Sequence, residues 1–305
     1  MKKKNPKNIN LAGKQEYTVS NSNSEWVLFH NNFSLCSRKV RVCLEEYKID
    51  YHPIHIHILE TKDSENLTPE FLKVNPKATV PVLLHKNYPI YESHEQIEYL
   101  TSRYLNDSNT SESVNEWNRR GSLVGDDLIK GTRDYAGNCV ALLTQPLFIA
   151  MLKKINFSKF LKYFINHPSK FRAFNFTLYK VLGFSVFRVN SPHQKIALKA
   201  INHLNLHLSD LNDHLEAKKW IAGDTFSLAD ITWMVLLHRL EELQLIDKLL
   251  LNNKNLKKYY SLLKKRKSFT ESILNFNHPS VEMGINRLKK EILKNKNLRS
   301  FYGSI

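Results

Sequence analysis

The segment HNNFSLCSRKVRVCLEE, residues 30–46, joins a short apolar run to a helical repeat. The run that leads into it, EWVLFH at 25–30, is typical of a buried strand. Within residues 30–46, Val40, Cys43 and Leu44 recur at the i, i+3, i+4 spacing of one helix face. The segment therefore predicts a strand, a short loop and the beginning of a helix, with a serine and a cysteine at the junction.

The composition favours a mainly helical, ordered protein. The chain has 305 residues, enough for one large or two modest domains. Its hydrophobic share of 42% is enough to form a core. Only 9 glycines and 10 prolines interrupt it, fewer than a many-turned β architecture needs. The net charge of +16 attracts phosphates, acidic lipids and anionic small molecules. Because lysine alternates with asparagine along much of the chain, we interpret most of this charge as solvated helix surface.

The cysteines predict a reduced protein. They stand at 36, 43 and 139, an odd number without a C-x-x-C pair or the even spacing of a disulfide framework. The start, MKKKNPKNIN, is basic but has no apolar run of a secretory signal behind it. We therefore expect a cytoplasmic location.

The first third of the chain predicts a mixed α/β domain. Residues 51–60 alternate as a half-exposed strand, and a short helical piece follows. Two further strands are predicted at 79–85 and 88–93. The next helix is expected to begin with Ser93 as N-cap and Gln96 as its capping-box partner. The predicted order is β-α-β, a helix, then β-β-α.

Two histidines raise the question of a metal. His55 and His57 lie at i, i+2 on one predicted strand face, a spacing that suits metal ligands. The sequence suggests no third ligand nearby, so we predict no metal site.

Beyond a polar linker at 105–115, only helical patterns occur. The clearest is TFSLADITWMVLLHRLEELQL, in which Ser227 caps a helix and Asp230 stands at its third position. The run after the cap is almost wholly apolar, which predicts a helix in the core of the second domain. The predicted organisation is a flexible polar extension at 1–24, an α/β domain at 25–105, an all-α domain at 116–283 and a basic tail at 284–305.

Four features in this order resemble the cytosolic glutathione S-transferase superfamily. They are the segment SLCS before a helix, Val80-Pro81, Glu92-Ser93, and the capped helix SLADITWMVLL. The pattern SLCSRKVRVCLEE is similar to the zeta-like branch, which includes maleylacetoacetate isomerase and tetrachlorohydroquinone reductive dehalogenase. The resemblance implies an N-terminal thioredoxin-like domain that binds glutathione, followed by a C-terminal helical bundle that forms much of the acceptor pocket.

The resemblance also assigns the residues that hold glutathione. The N–H and C=O of Val80 would pair with the cysteinyl unit, with Pro81 in the cis form and Thr79 beside them. The γ-glutamyl carboxylate would bind at the helix N-terminus at Ser93, where backbone donors and the helix dipole favour an anion. Glu92 would accept from the γ-glutamyl ammonium.

Ser34 and Cys36 are the predicted catalytic residues. By resemblance, the Ser34 hydroxyl donates to the glutathione thiolate. We expect the helix N-terminus to depress the pKa of Cys36. In a dehalogenase, this thiolate would attack a glutathionyl intermediate and form a mixed disulfide that a second glutathione resolves; in an isomerase, Cys36 would only line the site. Plain helix capping by Ser34 and burial of Cys36 as a small apolar side chain stay open.

The sequence therefore predicts a glutathione S-transferase-like enzyme with glutathione as co-substrate. It would act on an electrophilic, halogenated or unsaturated aromatic-derived molecule by conjugation, isomerisation or reductive dehalogenation. The alternative is a non-catalytic interaction protein of the same fold or a membrane-surface protein. A homodimer is implied by resemblance, and no nucleic-acid motif is seen. Membrane contact through residues 145–190 is not favoured, because buried packing explains their apolar content more simply.

Overall fold

The computed structural model describes residues 11–104, 111–125 and 127–305. Its strands are β1 (Gly13–Lys14), β2 (Trp26–His30), β3 (His52–His55), β4 (Val82–His85) and β5 (Tyr88–Tyr91). The helices that accompany them are α1 (Leu35–Glu46), α2 (Pro69–Val74) and α3 (Ser93–Tyr104). The helices that follow are α4 (Glu112–Gly121), α5 (Ala136–Leu143), α6 (Gln145–Leu152), α7 (Phe157–Asn166), α8 (Lys170–Leu182), α9 (Pro192–His214), α10 (Leu228–Glu242), α11 (Ile246–Leu249), α12 (Lys254–Leu263), α13 (Lys267–Phe269), α14 (Pro279–Lys294) and α15 (Lys296–Gly303).

The strands form one sheet in the order β1-β5-β4-β2-β3. β2 and β3 are parallel, and the other neighbours are antiparallel. A parallel pair needs a crossover, and α1 supplies it. The predicted α/β domain followed by a helical domain is confirmed. The crossover places the amino end of α1 just beyond the carboxyl end of β2, where the serine and cysteine lie.

Residues 11–24 differ from the flexible extension that the sequence predicts. Gly13–Lys14 pair with Ile90 and Tyr91 as an edge strand. Leu11 is 9% exposed and packs in the apolar cluster that contains Val82. A strand of two residues is too short to show a periodic pattern, which is why the sequence did not reveal it. The first ten residues of the predicted extension lie outside the described residues.

The last residues of the linker predicted at 105–115 belong to helix α4. Residues 105–110 lie outside the described residues, whereas Ser111 accepts a hydrogen bond from Val114 N and caps α4. The helical domain therefore begins before residue 116. We keep the boundary between the two domains as a proposal at this linker.

Helix α10 forms the core of the helical domain, as predicted. Its capping box is complete: the Ser227 side chain and Asp230 bond each other's backbone amides. Asp230 Oδ1 also accepts from Ile221 N at 2.9 Å and from the Tyr259 hydroxyl at 2.7 Å. A buried carboxylate with this many donors ties the start of α10 to the loop before it and to α12.

The predicted basic tail at 284–305 is folded as helices. Leu288, Leu298 and Phe301 are buried, and the Tyr302 hydroxyl donates to Leu243 O at 2.9 Å. α14 lies so close to α6 that a Cβ added to Gly284 would meet Met151 Cγ at 2.5 Å. The lysines of this segment occupy the outer face of amphipathic helices, so their number concealed the apolar stripe.

Three basic residues of α1 are buried at the junction of the two domains, in contrast to the solvated helix surface to which we assign most of the basic charge. Arg38 donates to both carboxylate oxygens of Glu242 at 2.9 and 2.8 Å. Lys39 donates to Ser122 Oγ at 2.9 Å, and Arg41 to Ser272 O at 2.9 Å. These contacts fix α1 against α10, the end of α4 and the segment after α13. Their role is to join the domains rather than to steer a substrate.

Candidate functional site

A cleft of about 350 Å³ lies between the two domains and reaches the amino ends of α1 and α3. The cleft brings together all seven residues that the sequence singles out. They are Ser34, Cys36, Thr79, Val80, Pro81, Glu92 and Ser93. These positions come from three separate parts of the first domain, so their convergence is a property of the fold.

Ser34 lies at the mouth of the cleft and also caps α1. Its Oγ accepts from Ser37 N at 3.2 Å and donates to Val80 O at 3.3 Å. Helix capping, one of the two roles that the sequence left open, is therefore present in the structure. The hydroxyl has one hydrogen, which Val80 O accepts here, so donation to a thiolate requires that this hydrogen turn away from Val80 O into the cleft.

The Val80–Pro81 bond is cis, as expected. Side-chain amides hold the loop on both sides of it. Gln96 Nε2 donates to Pro81 O at 3.1 Å and to Ile90 O at 2.7 Å, and Asn75 Nδ2 donates to Thr79 O at 2.8 Å. The sequence assigned Gln96 to a capping box, which is wrong: its side chain supports the loop instead. Thr79 to Pro81 are thereby held as a firm edge along one wall of the cleft.

The amino end of α3 forms the next wall. Ser93 is the first helical residue and is 4% exposed. Glu92, with φ of +63°, occupies the N-cap position, and its carbonyl accepts from Gln96 N at 3.0 Å. The assignment of Ser93 as N-cap is thus shifted by one residue. Lys77, which the sequence did not single out, lies 3.5 Å from the Glu92 carboxylate and also lines the cleft. An anion at this helix end meets free amides and a nearby cation.

Cys36 lies in the first turn of α1 and faces the cleft. Burial raises the pKa of its thiol, while Lys39 and a hydrogen bond with Ser93 act in the opposite direction. The expected depression by the helix end is therefore wrong for the protein as it stands, because desolvation outweighs the favourable field. The pKa of Lys39 is itself lowered to about 8, first by burial.

The half of the cleft nearer the second domain is mainly apolar. Its apolar lining consists of Phe33, Leu35, Ile58, Leu123, Leu128, Ala141 and Phe148. Most of these side chains come from the loop after β2 and from the start of the helical domain. The sequence predicted an acceptor pocket here but none of its residues. A flat, apolar electrophile fits such walls better than a strongly hydrated one.

Three charged side chains stand within the apolar half. Glu60 Oε1 accepts from Arg172 Nη2 at 3.0 Å, and burial raises the pKa of Glu60. The Arg239 guanidinium lies 4.1 Å from the centre of the Phe33 ring, and its Nη2 donates to Phe33 O. Within the described part of the chain, Glu60 Oε2 and Arg239 Nη1 have no hydrogen-bond partner. Both atoms are buried among the side chains that line the cleft.

Sequence reasoning missed Glu60, Arg172 and Arg239. Arg239 lies on the helix that the sequence predicts most clearly, but nothing in the pattern shows that its side chain faces a cleft. Glu60 and Arg172 stand in segments without a motif. A single acidic residue at the end of the predicted strand 51–60 was the one signal present, and it is common in solvated loops.

The histidines do not form a metal site. The rings of His55 and His57 are 4.5 Å apart, and that of His278 lies 5.5 Å from His57. Across residues 11–104, 111–125 and 127–305, no group of three His, Cys, Asp or Glu side chains is placed to hold a metal ion. The third histidine comes from the start of α14, far along the chain.

Two family models match the chain. The glutathione S-transferase N-terminal domain matches residues 33–103, and the C-terminal domain matches residues 156–266. Glutathione S-transferase TCHQD of Arabidopsis thaliana is 27% identical over 256 residues, covering 81% of this chain and 88% of the relative. Tetrachloro-p-hydroquinone reductive dehalogenase of Sphingobium chlorophenolicum is 26% identical over 250 residues, covering 79% and 93%.

Solved structures share the fold. The β-etherase LigF from Sphingobium sp. strain SYK-6 superposes with a TM-score of 0.65 at 16% identity, covering 82% of this chain and 99% of that one. A glutathione transferase family member from Pseudomonas fluorescens, solved with two glutathione bound, gives a TM-score of 0.52 at 17% identity, covering 85% and 92%. The two domain models match the α/β domain and the helical domain in that order, and the curated relatives extend over both. The chain belongs to the glutathione S-transferase superfamily.

Proposed function

We propose that this chain is a glutathione-dependent enzyme that transfers the glutathione sulfur to an electrophilic small molecule or uses it for reductive dehalogenation. The observation that carries the proposal is the single cleft in which a peptide-binding edge, a helix N-terminus and the Ser34 hydroxyl meet an apolar compartment. Two relatives over most of the chain are named as a glutathione S-transferase and a reductive dehalogenase. Isomerisation stays a third reaction of the same site.

The residues of the first domain fit glutathione. An extended peptide can pair with the exposed edge at Val80, which is held in place by Gln96 and Asn75. A carboxylate binds at the first turn of α3, beside Ser93. The Glu92 carboxylate can accept from an ammonium group, and Lys77 beside it offers a charge for a second carboxylate.

Glutathione supplies a thiol, and the protein must stabilise its ionised form. A free thiol with a pKa of about 8.5 is mostly protonated at neutral pH. The Ser34 hydroxyl, which donates to Val80 O in this structure, can turn to donate to the sulfur of a bound ligand, and the amino end of α1 adds a positive field. Arg239 adds to that field, since it acts to lower the pKa of the neighbouring Cys36 thiol. Together these groups favour a sulfur anion in front of Ser34.

Cys36 separates the candidate reactions. Conjugation needs only the sulfur of glutathione, so the Cys36 thiol is then a wall of the cleft. Dehalogenation by thiol exchange needs Cys36 as a second nucleophile. The pKa of this buried thiol is raised although Lys39 acts to lower it, so the proposal requires that a bound ligand favour the thiolate.

The test combines calorimetric titration with glutathione and turnover of chloro-aromatic, dichloroacetate and maleyl-type compounds. Ser34→Ala is expected to lower turnover roughly 100-fold, because one donor to the developing charge is lost. Its glutathione affinity should change little, since other residues hold the peptide. Cys36→Ser should abolish dehalogenation and spare conjugation. Ser261→Ala, at an exposed serine of α12, is the matched control.

Two results would overturn the proposal. Full activity in the Ser34→Ala, Cys36→Ala double variant would remove both residues from the mechanism. A chain that binds no glutathione would favour the non-catalytic alternative.

The cellular setting belongs to the proposal as well. Family membership supports a homodimer, a role in detoxification and a cytoplasmic location. Sedimentation equilibrium tests the first, and growth of a deletion strain on chlorinated aromatics tests the second. No described helix is long and apolar enough to cross a membrane.

A further inference from the structure

Helices α7 and α8 carry an apolar surface that the fold leaves uncovered. Eight of the seventeen exposed large apolar side chains in the described residues fall between 157 and 182. We call the α7–α8 face the surface formed by Phe157, Leu161, Ile165, Phe171, Phe174 and Val181, whose exposed fractions range from 53% to 72%. The sequence favoured buried packing for this segment. The structure buries only part of it.

The exposed face is additional to the face by which these helices pack. Phe160, Tyr163 and Phe176 are at most 3% exposed and point into the domain. On α7, Phe157, Leu161 and Ile165 follow one another at i, i+4, i+8, which is a stripe on another side of the helix. The helices are thus docked already, and their outer apolar stripe has no structural task within the described chain.

The segment that carries this face is basic. Residues 135–209 contain ten lysines and arginines and no aspartate or glutamate. Two of the ten pair with acids of the first domain, Lys159 with Asp63 and Arg172 with Glu60. Lys153, Lys154, Lys162 and Lys170 in this stretch are exposed. Aromatic and aliphatic side chains on one side of a helix, with lysines around them, are typical of helices that lie in a membrane interface. The core of an interface between proteins is instead depleted in lysine.

We propose that the α7–α8 face binds the surface of membranes that contain anionic lipids. The apolar side chains enter the interface between headgroups and acyl chains, and the lysines contact the lipid phosphates and carboxylates. The contact is peripheral, since the described helices include none that could cross a membrane. His167, which follows α7, and Arg172 of α8 line the cleft, so the helices that carry this face also form part of the cleft wall.

The experiment measures flotation of the full chain with phosphatidylcholine vesicles that contain about 30 mol% phosphatidylserine, against phosphatidylcholine alone. The wild type is expected to float with the anionic vesicles only, and to be released at about 0.5 M salt. The double variant Leu161→Asp, Phe171→Asp should reduce the bound fraction roughly tenfold. The matched control is Leu251→Asp, Leu293→Asp, at side chains 75% and 74% exposed elsewhere.

Urea unfolding checks that both double variants are folded. We expect this, because the four side chains lie at the surface. The proposal is overturned if the wild type ignores anionic vesicles, or if both double variants lose binding equally. It is also overturned if sedimentation shows a dimer that Leu161→Asp, Phe171→Asp converts to a monomer without any vesicle binding, because a second copy of the chain would then cover the face. Retention of binding by the control pair alone supports it.

Discussion

Helix α1 and the helix pair α7–α8 both place basic residues among apolar ones. The basic side chains are buried in α1 and mostly exposed in α7 and α8. In α1, the run SRKVRV places Arg38, Lys39 and Arg41 among apolar residues, and all three are at most 3% exposed. In α7 and α8, lysines such as Lys162 stand among aromatic residues and are exposed. The difference lies in what the fold brings to them: Glu242 is 204 residues from Arg38. The three buried cations of α1 each meet an acceptor that is distant in sequence: a carboxylate, a hydroxyl or a carbonyl.

The strongest test of this contrast removes the acid. Glu242 accepts two hydrogen bonds from Arg38 and lies 3.1 Å from Arg239 Nε. Glu242→Gln is expected to lower the free energy of unfolding by about 3–5 kcal/mol, because two guanidinium groups are left without their carboxylate in the interior. Urea unfolding at pH 7 measures the loss. Glu282→Gln, at an exposed glutamate of α14, should change the free energy by less than about 0.5 kcal/mol.

The pH dependence of stability sharpens the same comparison. Burial alone would raise the pKa of Glu242, but Arg38 and Arg239 lower it to about 2 from an unfolded value of 4.5. A lowered carboxyl pKa stabilises the fold above pH 4.5, and this stabilisation is lost as the pH falls toward 2. The expected loss is about 3 kcal/mol. Subtracting the acid unfolding curve of Glu242→Gln from that of the wild type isolates this contribution. Parallel curves would show that Glu242 is not the group responsible.

Lys39, like Arg41, is a buried cation without a carboxylate hydrogen-bonded to it. Burial is the main cause that lowers its pKa to about 8, and the unfolded value is 10.5. The unfolded chain binds the proton more tightly, so stability rises with pH between 8 and 10.5. Lys39→Met should therefore raise the free energy of unfolding at pH 7 by about 1–2 kcal/mol and remove this rise. Ser122 keeps a partner in the variant, since its hydroxyl donates to Asn118 O at 2.7 Å.

Urea unfolding at pH 7 and at pH 10 distinguishes the outcomes for Lys39. A variant less stable than the wild type at pH 7 would mean that the hydrogen bond to Ser122 and the nearby carboxylates outweigh the burial of the charge. The expected gain is smaller than the loss at Glu242, because replacing a buried cation removes its desolvation cost whereas removing its acid leaves that cost in place.

Local patterns were sufficient for much of the fold. The strand before Ser34, the helix after it and the capping box of Ser227 and Asp230 are set by neighbours in sequence, and each was predictable. The strand at 13–14 and the apolar stripe of 284–305 were not. The first depends on a partner 76 residues away, at position 90, and the second was hidden by lysines on its solvent face.

The candidate site also has one part that the sequence predicts and one part that it does not. Ser34, Cys36 and the segment around Pro81 belong to motifs and lie together in the cleft. Glu60 belongs to no motif, and Arg239 lies on the predicted core helix without a pattern that marks it as part of a site. Glu60 meets Arg172 of α8, and Arg239 reaches Phe33 from α10. Burial raises the pKa of the Cys36 thiol, and a sequence does not display burial. Motifs thus locate the half of the cleft that we propose for glutathione, while packing determines the acceptor half.

The smallest effect on stability is expected for Lys162, in the region where the basic side chains are exposed. Lys162 lies on α7 with its side chain in solvent and with no acid between 135 and 209. Lys162→Met should change the free energy of unfolding by less than about 0.5 kcal/mol, because a solvated charge contributes little to the folded state. Urea unfolding beside Lys39→Met provides the direct comparison, since the substitution is the same. A loss of more than about 1 kcal/mol would place Lys162 among the structural cations and end the distinction between the two regions.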